Sequence, residues 1–125
     1  MVFFSKNILY AQNIEAKHLN GYWEFVEILL IDTNEVISQK DLFEFSGIEF
    51  TYVFNNNELI HLKNGEIYKK YNYKCINNFL MLTIIEIYSE SNDSIGDEGV
   101  WEFWFLDNYL FIKEEKGDIV KFRRK

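Results

Sequence analysis

The feature that most constrains this chain is a period-two alternation of apolar and polar residues. It begins at Tyr22, lasts to Arg124, and runs in short stretches cut by clusters of Asn, Asp and Gly. Side chains two apart share one face of a strand, so such alternation describes strands with one face buried. The runs are residues 22–31, 42–45, 48–54, 58–63, 67–75, 79–88, 100–106, 109–114 and 119–124. Residues 32–41 read as a loop, and Ser46-Gly47 as a bulge or bend that joins 42–45 to 48–54 in one strand. The sequence holds no proline, so every strand residue keeps the N–H that a hydrogen-bonded ladder uses.

The interruptions predict how the strands connect. Asn64-Gly65 is the strongest hairpin signal, because a tight primed turn needs positive backbone φ, which Asn and Gly adopt at low cost. Asn55-Asn56-Asn57, Asn77-Asn78, Asp107-Asn108 and Lys116-Gly117-Asp118 read as further turns, while the polar segment 89–99 is a longer connection. Short turns pair sequential strands antiparallel, which gives an up-and-down meander of about eight strands. An open meander exposes two edges that template aggregation, and closure into a barrel removes both. The expected fold class is therefore all-β: a barrel of residues 20–125, preceded by a short N-terminal cap segment at 1–19. A two-sheet sandwich is the alternative.

Charge narrows the function classes. Twenty acidic against 13 basic residues give a formal charge of −7, and binding to phosphate backbones or anionic membrane surfaces rests on clustered Lys and Arg. Nucleic acid is not an expected partner. No run approaches the roughly 20 apolar residues of a membrane-spanning helix, so no membrane span is expected. The single Cys75 excludes an intramolecular disulfide and leaves the redox compartment open. Residues 1–19, with Val2-Phe3-Phe4 and Ile8-Leu9-Tyr10-Ala11, read either as a cap on the barrel or as a truncated export signal. The second reading implies a periplasmic or secreted protein, the first a cytoplasmic one.

Leu19-Asn20-Gly21-Tyr22-Trp23-Glu24-Phe25 carries a Gly-x-Trp pattern at the first strand, and the last strand ends Phe122-Arg123-Arg124. Together with the strand count and the hairpin over residues 50–65, this resembles the small bacterial lipocalin-like domains of the calycin group. The resemblance covers residues 19–125. It implies an eight-stranded barrel closed at one end by Gly21, Trp23 and Arg124, with the arginine packed over the tryptophan ring. It further implies a hydrophobic ligand held inside. The chain departs from the larger lipocalins in being short and in lacking their disulfide. The geometry behind the pairing is general: Arg124 shares the face of Val120 and Phe122 by period two, and a guanidinium over an indole contributes about 0.5–2 kcal/mol.

No local spacing suggests a catalytic triad or a metal site among His18, His61 and Cys75, and no enzyme activity, cofactor or metal is expected. His61 reads as an exposed residue on a face opposite Ile60 and Leu62. Asp93, Asp97 and Glu98 do not follow a calcium-loop spacing and read as a solvated acidic loop. The excess lies in the aromatic residues. Phe25, Phe50, Tyr52, Tyr71, Tyr73, Met81, Trp101, Phe103 and Phe105 are the candidate ligand-binding residues, since a closed sheet would turn these rings inward with a few phenolic hydroxyls. Eight strands sit at the size where side chains either fill the interior or leave one small cavity. Two functions follow. The first is a non-enzymatic binder of a hydrophobic or aromatic small molecule. The second is an acidic interaction module that masks a basic protein partner through residues 28–31 or 89–99, because complementary fields steer association.

Overall fold

The computed structural model describes residues 16–125. Residues 1–15 of the expected cap or export segment lie outside the described residues. A 3-10 turn, Ala16–Leu19, leads into nine strands: β1 (Gly21–Leu29), β2 (Val36–Ser38), β3 (Phe50–Asn55), β4 (Glu58–Lys63), β5 (Glu66–Ile76), β6 (Phe79–Ile87), β7 (Glu98–Leu106), β8 (Tyr109–Lys113) and β9 (Ile119–Arg124). Strands β3 to β9 pair in sequence order, every pair antiparallel, and β1 joins β9 to β3. Eight strands thus close into a barrel, and β2 is a short ninth strand on its wall.

The turn chemistry explains the order. Asn64 and Gly65 adopt φ of 52° and 79°, and Asp107 and Asn108 adopt 52° and 68°. Both are two-residue connections whose left-handed geometry matches the twist of the flanking strands. Asn56 and Asn77 supply the same positive φ, at 56° and 54°, in the β3–β4 and β5–β6 turns.

Residues 39–46 depart from the expected loop and strand. They form one helix, α1 (Gln39–Ser46), with Ser38 as its N-cap accepting the Asp41 N–H at 3.1 Å, and Gly47 at φ 71° ending it. The Gln39 side chain fastens α1 to the start of β3, donating to the Ile48 carbonyl at 2.7 Å and accepting from the Phe50 N–H at 3.3 Å. Leu42 packs against the core, while Phe43 and Phe45 are exposed. No helix of the described residues is long and apolar enough to cross a membrane.

Strand β1 is shared between two partners. Gly21 to Glu24 pair with β3, whereas Glu27 to Leu29 pair with β2, and a bulge falls between Phe25 and Glu27 on the β9 side. The wall between β1 and β3 is therefore hydrogen-bonded only near the Trp23 end. Beyond it, β2 and α1 bridge the gap.

Two faces come out opposite to expectation. In β6 the inward residues are Leu80, Leu82 and Ile84, all buried, while Phe79 and Met81 are each 41% exposed. Met81 lies opposite Val100 and Lys74 on the outer surface. It is removed from the interior set, because β6 is apolar on both faces and its pairing register, not its composition, decides which face turns in. In β4 the inward residues are Leu59 and His61, so His61 is not the exposed residue expected from Ile60 and Leu62. The core is one cluster built on Trp23, Phe54, Phe103 and Phe122, each nearly or completely buried. Burying a side chain of that size stabilises by roughly 1.5–3 kcal/mol.

Candidate functional site

The two ends of the barrel differ. At the end where β1 begins and β9 finishes, the interior is filled. The Trp23 indole N–H donates to the Leu19 carbonyl at 2.7 Å, and the ring lies against Phe105 at 5.8 Å. Arg124 stands directly opposite Trp23 in the β1–β9 pair. Its guanidinium carbon is 4.2 Å from the indole centre, and its two terminal nitrogens donate to the Asn20 and His18 carbonyls at 2.9 and 2.6 Å. This arginine ties the 3-10 turn to the last strand.

Gly21 sits beneath it at φ 126°, and a Cβ there would come within 2.9 Å of an Arg124 nitrogen. The arginine can move aside, but the backbone angle is one that side-chain-bearing residues rarely adopt. Gly21→Ala is expected to lower stability by about 1–3 kcal/mol, measured as a shift in the urea midpoint with an unchanged m-value.

At the opposite end a cavity of about 170 Å³ remains. Phe25, Ile28, Phe50, Val120 and Phe122 form its apolar wall, and Tyr52, His61 and Glu114 are its polar residues. Tyr52 is stacked on Trp101 at 5.9 Å and packed on Phe122 at 4.7 Å. His61 is caged by Phe50, Tyr52 and Tyr68 at 5.2, 4.9 and 5.2 Å. Its Nδ1 is buried without a hydrogen-bond partner among the described residues.

Electrostatics follow from this enclosure. Burial, helped by the nearby Lys69 and Lys63 charges, lowers the His61 pKa from 6.5 to about 3, so the ring is neutral at ordinary pH. Burial, with Asp118 adding to it and Lys116 opposing, raises the Glu114 carboxyl above the usual range. Tyr52 and Tyr71 are both raised, chiefly by burial, and further by the Glu114 charge at Tyr52 and by the Asp93 charge at Tyr71.

A second recess of about 310 Å³ is lined by Tyr71, Leu82, Ile84 and Trp101 together with Asp93, Asp97 and Glu98. Tyr71 and Trp101 lie 5.8 Å apart, and Trp101 in turn stacks on Tyr52, which links the two spaces. Asp93 is not simply solvated. It pairs with the ammonium of Lys69, a residue only 7% exposed, and that bond holds the Asp93 carboxyl below its usual pKa. The segment between β6 and β7 is anchored further by backbone bonds from Ile84 to Asp97 and from Gly96 to Ile84, at 2.9 and 2.8 Å.

Of the candidate binding residues, the structure brings Phe25, Phe50 and Tyr52 to the cavity and places Tyr71 and Trp101 in the second recess. Tyr73 packs on Phe54 at 5.6 Å, and Phe103 and Phe105 pack on each other at 6.0 Å in the filled part of the core. Met81 is outside. Sequence reasoning missed Ile28, His61, Glu114, Val120 and Phe122 as lining residues. The alternation Val120, Phe122, Arg124 already put the last pair on the inner face, whereas nothing local marks Glu114. No protein-family model, no curated protein and no solved structure matches the chain.

Proposed function

We propose that this protein is a small lipocalin-like binding protein, without catalytic activity, that holds one small hydrophobic or aromatic molecule in the cavity between Phe25, Phe50, Tyr52 and Phe122. The observation that carries this reading is the asymmetry of the interior. One end is packed solid around Trp23, and the other keeps a void among rings, with three polar residues in its wall. Folding alone favours filling such a space, since an unfilled cavity weakens a core in proportion to its volume. Its size sets the guest. Cavities of about 150 Å³ admit a benzene-sized molecule, so 170 Å³ suits a single ring with a short arm and excludes a fatty acid or retinoid held wholly inside.

Trp101 stacks on Tyr52 at the cavity wall, which provides the readout. Titration with single-ring compounds is expected to quench tryptophan fluorescence saturably and to raise the melting temperature, by about 2.7 kcal/mol of added stability at a hundredfold excess over Kd. Val120→Phe, which places a ring inside the void, is expected to abolish the quenching while the protein still folds. Quenching that persists unchanged in that variant would place the ligand elsewhere and refute the reading.

A further inference from the structure

The cavity and its surroundings point to the charge of the guest. We propose that the ligand is a small organic cation, a protonated amine carried on one aromatic or apolar group, with its ammonium against Glu114; this rests on the binding role proposed above.

Among the described residues, Glu114 is the one carboxylate on the cavity wall, and it makes no ion pair with any of them. The cations near it are already engaged or held off. Lys116 is solvent-exposed and shared between Asp32 and Asp118 at 3.5 and 3.8 Å, and Lys69 is bound to Asp93. Of the other titratable groups on the wall, Tyr52 is neutral when protonated, and His61 is caged among three rings that, with nearby Lys charges, keep it uncharged at neutral pH. It therefore contributes no positive charge that would replace a ligand cation.

Phe25, Phe50, Tyr52 and Phe122 line the same cavity as Glu114, and ring faces attract a desolvated cation. Glu114 is half-buried and has no ion-pair partner among the described residues, and an ammonium supplies both the opposite charge and N–H donors for a charge-assisted hydrogen bond. The second recess carries Asp97 and Glu98 beside the Asp93–Lys69 pair, and the chain as a whole carries −7. Such a net negative field draws a cation and repels an anion. A carboxylate ligand would set a second negative charge beside Glu114, and a neutral ring would leave Glu114 unpaired.

Three probes of one size separate these cases: benzylamine, benzyl alcohol and benzoate, titrated at neutral pH with tryptophan quenching and thermal shift as readouts. Benzylamine is expected to bind about tenfold or more tighter than benzyl alcohol, as a charge-assisted hydrogen bond in a partly desolvated site allows, and benzoate not measurably. Glu114→Gln is expected to remove the advantage of benzylamine over benzyl alcohol, with both probes compared in the same variant. Benzyl alcohol binding as well as benzylamine, or a benzylamine preference that survives Glu114→Gln, overturns the cation assignment and leaves the ring-binding role intact. Binding of none of the three removes that role itself. Should Glu114→Gln fail to fold, the comparison of the three probes on the unaltered chain still decides the charge.

Discussion

Trp23→Ala is expected to destabilise the protein by about 3–5 kcal/mol, the cost of emptying a fully packed aromatic site. The indole is 2% exposed, and three sets of contacts depend on it. Phe105 packs on its face, Arg124 covers it from the strand opposite, and the Leu19 carbonyl loses its donor. The loss should exceed that of Arg124→Ala, because Arg124 is exposed and its hydrogen bonds to the two carbonyls exchange with water. Chemical denaturation of the two variants and the parent checks this order. Equal losses would mean that the arginine, and not the ring, organises that end of the barrel. Trp23→Phe should recover part of the loss by restoring apolar volume, but not the bond to Leu19.

The second large effect is in acid. His61 has a folded-state pKa of about 3 against 6.5 when unperturbed. Below pH 6.5 the unfolded chain takes up a proton at this position and the folded one does not, so each further pH unit of acidification favours unfolding. The loss is fully developed near pH 3 and reaches about 4–5 kcal/mol, at about 1.4 kcal/mol per pH unit. His61→Phe removes the titrating group and keeps a ring in the cage of Phe50, Tyr52 and Tyr68. The variant is expected to match the parent near pH 7.5 and to be several kcal/mol more stable at pH 4. Other groups titrate across the same range with opposite signs. Asp93, whose pKa is lowered by Lys69, loses stability as pH falls, and Glu114, whose pKa is raised, gains it. Both remain in the variant, so the difference between the two acid-unfolding profiles isolates His61. Parallel profiles would show that the imidazole reaches water.

What the sequence made legible was the part governed by local chemistry. Asn64-Gly65 and Asp107-Asn108 need positive φ wherever they lie, and the turns they mark fix the neighbour of nearly every strand. Strand alternation along β9 puts Arg124 on the inner face with Val120 and Phe122, and the β1–β9 register sets it opposite Trp23 as the family resemblance implied. The errors occurred where two patterns competed. Ser38 with Asp41 and Gly47 forms a helix start and stop, yet Phe43 and Phe45 alternate like strand residues, and the alternation masks the caps. In β6 the sets Leu80, Leu82, Ile84 and Phe79, Met81 are equally apolar, so the inner face is chosen by register with β5 and β7. His61 inside and Ile60 outside repeat the same ambiguity in β4. Glu114 was invisible for a different reason. Its place beside Tyr52 depends on how the β8–β9 turn meets β3 across the barrel, which no short stretch of sequence encodes.

The pairing of β1 with β9 brings together side chains as far apart in the chain as Glu24 and Arg123, separated by 99 positions. Every other strand pairing of the barrel except β1–β3 joins strands consecutive in the chain, the kind of pairing that hairpin formation assembles within microseconds. Loop-closure entropy therefore falls mostly on that one union. Refolding should pass through a curled ribbon with two free margins, and the slow kinetic phase should report the moment at which the tail reaches the beginning. Dilute protein and swift removal of denaturant would favour the monomer, since until then the two margins can recruit a neighbour's instead.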